Sequence, residues 1–73
     1  MNTIQVIGGL TRLKDNYKTH NLEFIDAYML SEALEKIKTS LIVEYGYDHG
    51  MKIYKEGTQW AKDHPEGVAN EKE

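Results

Sequence analysis

Cysteine is absent from this 73-residue chain. That excludes a disulfide framework and any thiolate metal site, and His20, His49 and His64 lack the close paired spacings of zinc motifs, so neither metal nor cofactor is expected. No apolar run approaches the ~20 residues that span a bilayer. The start, MNTIQVIGG, has neither the basic opening nor the long apolar segment of a secretory signal. The chain reads as cytoplasmic within a host cell. Excess positive charge is lacking too: nine Lys and Arg stand against twelve Asp and Glu, a formal charge of -3, which does not favour long-range attraction to phosphate backbones. Chains of about 60 residues bury only ~60% of the surface their unfolded form exposes, so the core must be small.

Catalytic signatures are missing as well. Neither Ser31 nor Ser40 sits in a nucleophile elbow, and Ser31 reads as a helix cap. Asp48 and His49 are an adjacent acid and base, but neighbours in a strand or turn point apart. Gly8-Gly9 opens no phosphate loop, because no G-x-x-x-x-G-K-[ST] or G-x-G-x-x-G follows. The chain is not expected to be an enzyme.

What is present begins with Ala27 to Leu41, AYMLSEALEKIKTSL. Ser31 as N-cap, Glu32 and Glu35 in the first turn and Lys36 and Lys38 near the end mark a short helix. Leu30, Ala33, Leu34, Ile37 and Leu41 recur every three or four residues and form one apolar stripe. Thr3 to Leu13 is rich in β-branched and aliphatic residues and is followed by the turn composition Lys14-Asp15-Asn16, which predicts a strand, a turn and a second strand from Tyr17 to about Ala27. A bulge at Gly8-Gly9 then puts Ile4, Val6, Leu13, Leu22, Phe24 and Tyr28 on one face, with Asp26 at an edge where its carboxylate reaches an amide near the helix start. A rival reading starts a helix at Asn21, with Leu22, Ile25, Met29, Ala33 and Ile37 along one side.

Beyond the helix, Leu41 to Tyr47 reads as a strand and Asp48-His49-Gly50 as a turn. Met51 to Lys55 and Thr58 to Ala61 form a hairpin around Glu56-Gly57, ended by His64-Pro65. The predicted fold is α+β: a small antiparallel sheet of about five strands, order ββαβββ, with one helix packed on one face over Val6, Phe24, Val43, Ile53 and Trp60. Residues 1–65 form the single domain and residues 66–73 a disordered tail.

The candidate binding residues are Tyr45, Tyr47, His49, Lys52, Tyr54 and Lys55. Tyrosine is enriched at protein interfaces, and aromatics interleaved with bases also stack and neutralise single-stranded nucleic acid. An open sheet edge offers a route to a homodimer.

Ala27, Leu30-Ser31, Ala33 and Ile37, followed by Tyr54-Lys55-Glu56, Gly57 and Trp60, resemble an A-x-x-L-S-x-A-x-x-I segment and a Y-K-E…G-x-x-W hairpin of small phage-encoded type I-F anti-CRISPR inhibitor proteins. The resemblance covers about Ala27 to Trp60, with a final turn one residue shorter. It implies a sheet with one helix, and a non-enzymatic inhibitor that docks on a CRISPR nucleoprotein complex and blocks target DNA access. The functional expectation is therefore a phage or mobile-element protein that binds and inhibits a host protein or nucleoprotein complex. The alternative is a single-stranded nucleic-acid-binding module using an aromatic and basic sheet face.

Overall fold

A computed structural model describes residues 1–64. They form three helices, α1 (Thr3–Asp15), α2 (Phe24–Tyr45) and α3 (Tyr47–Asp63). Among these residues there is no strand, and the expected ββαβββ sheet is corrected to an all-α three-helix bundle. The tail expected at 66–73 lies outside the described residues.

Helix α1 begins with a capping box: Asn2 Oδ1 accepts from the Gln5 N–H at 2.9 Å, and Gln5 Oε1 accepts from the Asn2 N–H at 3.0 Å. Two otherwise unpaired donors are thereby satisfied. Arg12 and Lys14 in the last turn complement the helix dipole. Gly8-Gly9 is not a strand bulge but the middle of this helix. Its buried side carries Ile7, Gly8 and Thr11, and the Thr11 hydroxyl donates to the Ile7 carbonyl at 2.7 Å, which accounts for a buried polar group.

Helix α2 holds the predicted 27–41 stripe but extends beyond it at both ends. Ser31 lies inside it. The N-terminus is instead fixed by Asp26, whose carboxylate accepts from the Glu23 N–H at 2.8 Å; this is the amide contact expected of Asp26, made on a helix rather than at a sheet edge. The rival helix reading had the right element, and Ile37 of its line packs against the core, but Ile25 and Met29 are 58% and 60% exposed and the buried residues are Ala27, Leu34 and Leu41. Phe24 and Val43, expected in the core, are exposed as well.

Gly46 alone separates α2 from α3. Its φ of +90° is a conformation that costs other residues strain, and its N–H still reaches the Ile42 carbonyl at 2.8 Å while its own carbonyl accepts from Gly50. The two hairpins predicted between Leu41 and Ala61 are this short junction and one continuous helix. Tyr54-Lys55-Glu56, Gly57 and Trp60 lie on α3, so the sheet-with-one-helix architecture implied by the anti-CRISPR resemblance is not that of this chain.

Contacts fix the directions. Gly57 approaches Ile7, Trp60 covers Gly8, and Arg12 Nη1 donates to the His64 carbonyl. The numbers rise together, so α1 and α3 run the same way. Gly50 approaches Leu41 and Ile42 while Lys38 lies 5.7 Å from the Tyr54 ring, so α2 runs against α3. The bundle is therefore up, down, up.

The glycines set its spacing. A Cβ on Gly57 would stand 2.5 Å from Ile7 Cβ, and one on Gly50 would stand 2.7 Å from the Leu41 carbonyl oxygen. With Ile53, Tyr54, Trp60 and Ala61 these two glycines form the inward stripe of α3, at three- and four-residue intervals. The core itself is Ile7, Leu34 and Leu41, with Leu10, Ile37, Ile53 and Tyr54 packed around it. The molecule measures 36 × 29 × 16 Å. So flat a body leaves few positions out of reach of solvent, which is why the buried aliphatic set is this short.

Candidate functional site

The α2–α3 junction turns the chain sharply and leaves apolar side chains outside. Val43 is 81% exposed, Tyr45 47% and Tyr47 66%. Tyr45 ends α2 and His49 lies in the first turn of α3, and their rings sit 5.2 Å apart at a 41° tilt. From this corner a shallow concavity of about 500 Å³ follows α3, lined by Tyr47, Asp48, Met51, Lys52, Lys55, Glu56 and Gln59. These positions repeat at one- and three-residue steps, so a continuous outward helix face lines it.

Of the six residues predicted from sequence, five gather at this corner and along this face: Tyr45 and His49 as a ring pair, and Tyr47, Lys52 and Lys55 along the concavity. Tyr54 does not join them. It lies on the inward side, packed against the core, with the Lys38 ammonium 5.7 Å from its ring. Lys38 is itself paired with Glu35 at 3.1 Å. Met51 lies on the open face as well. His20, expected in a strand, lies in the turn after α1. His64 caps α3, with Nδ1 2.9 Å from the Trp60 carbonyl and its ring stacked on Trp60 at 4.2 Å.

Burial pushes the Tyr54 hydroxyl above the usual tyrosine value of 10.0; Lys38 acts against this and Glu35 with it. The folded state therefore disfavours the phenolate. The stability linked to Tyr54 is complete below pH 10 and is lost as the pH rises through its higher folded value. In a spectrophotometric titration of the native protein Tyr54 should ionise above the usual tyrosine value, and Tyr54→Phe should remove that phase.

Sequence reasoning missed a second exposed group, Phe24, Ile25, Tyr28 and Met29, which occupies the first two turns of α2. Assigning Tyr17 to Ala27 to a strand hid it, because alternation placed Phe24 and Tyr28 inside. The signal that could have found it is a second apolar line on α2, away from the Ala27, Leu34 and Leu41 stripe.

Among the described residues no group of three or more His, Asp or Glu is placed to hold a metal ion, and no helix is long and apolar enough to cross a membrane. No protein-family model matches the chain, and comparison with curated proteins and with solved structures finds no match.

Proposed function

We propose that this chain is a small non-enzymatic protein that binds a host protein or nucleoprotein complex and blocks its working surface, with the α2–α3 corner as the point of contact. The observation that carries this reading is the cluster of exposed Val43, Tyr45 and Tyr47 around Gly46. Exposed aromatic anchors beside a charged rim are the composition of an interface hot spot. Lys52, Lys55, Asp48 and Glu56 supply that rim. A CRISPR nucleoprotein complex, to which the sequence resemblance points, is one target of this kind.

The charge pattern favours a protein surface over a nucleic-acid strand. Asp48 and Glu56 share the concavity with Lys52 and Lys55, so it presents no net positive groove to a phosphate backbone. The test compares wild type with Tyr47→Ala in crosslinking capture and then in titration against the captured protein. A hot-spot tyrosine should weaken binding by about 2 kcal/mol, or roughly 30-fold. A captured protein indifferent to Tyr45→Ala and Tyr47→Ala would overturn the assignment. Binding of a labelled oligonucleotide that fades with rising salt would give the site to nucleic acid instead.

A further inference from the structure

We draw no further inference here: the strongest candidate, the exposed apolar patch of Phe24, Ile25, Tyr28 and Met29 on the first two turns of α2, is an unpartnered helix face, and nothing in the structure shows what covers it.

Discussion

Leu34→Ala should cost the bundle about 3 kcal/mol, within the 2–5 kcal/mol span of buried leucine truncations. Leu34 is 2% exposed and belongs to a core of three clustered side chains with only Leu10, Ile37, Ile53 and Tyr54 packed around it, so little is at hand to close the space it leaves. A chain of this length holds only about 4–11 kcal/mol in total, and the loss is a large part of it. The melting temperature should fall by roughly 12–24 °C, at the usual 4–8 °C per kcal/mol for domains of this size. Val43→Ala is the matched control. Val43 is 81% exposed and should change stability by no more than about 0.5 kcal/mol. The α+β reading places Val43 and Leu34 in one core and demands two large losses, so thermal melts of this pair separate the two architectures without further structural work.

How far the fold was legible follows from where the decisive contacts lie. Leu30, Ala33, Leu34, Ile37 and Leu41 form a local pattern, and the helix was found there. The halt at His64-Pro65 was legible too, as the end of an element whose type was misread: α3 stops at Asp63, as the residue before a proline favours. Gly8, Gly50 and Gly57 misled. Glycine lowers helix propensity, so each was taken as a bulge or a turn. Their actual reason is contact with Trp60, Leu41 and Ile7; the partners of Gly8 and Gly57 lie about fifty residues away and that of Gly50 across a helix junction, and neither leaves a trace in a local window. One signal was available. Gly50, Ile53, Tyr54, Gly57, Trp60 and Ala61 repeat every three or four residues, and in a five-residue window such as Met51 to Lys55 that period cannot be told from alternation. The candidate site was partly legible for the same reason. Tyr47, Lys52 and Lys55 line one helix face at spacings of five and three, whereas alternation in a strand put Tyr54 on the side of Lys52 and the helical period turns it inward.

Gly50→Val should lower stability by about 3 kcal/mol, the upper part of the range for overpacked interiors. A Cβ at Gly50 would lie 2.7 Å from the Leu41 carbonyl oxygen and 2.8 Å from Ile42 Cα. Both obstacles are backbone within a 22-residue helix, so relief requires α2 and α3 to move apart, and separation there loosens Leu34 and Leu41 as well. Alanine at the same site adds the smallest side chain and gains about 1 kcal/mol of helix propensity, which offsets part of the clash; Gly50→Ala should lose about 1–2 kcal/mol. At Gly57 the obstacle is the Ile7 side chain. Its nearest atom is Ile7 Cβ, at 2.5 Å and fixed to the α1 backbone, so Gly57→Ala should lose about as much as Gly50→Ala. The order of urea midpoints should therefore be wild type, then the two alanine variants together, then Gly50→Val, from most to least stable, with slopes unchanged because the surface exposed on unfolding is the same. If Gly50 lay in a hairpin turn after Asp48-His49, no α2 backbone would oppose the new side chain, and this gradation with side-chain size would disappear.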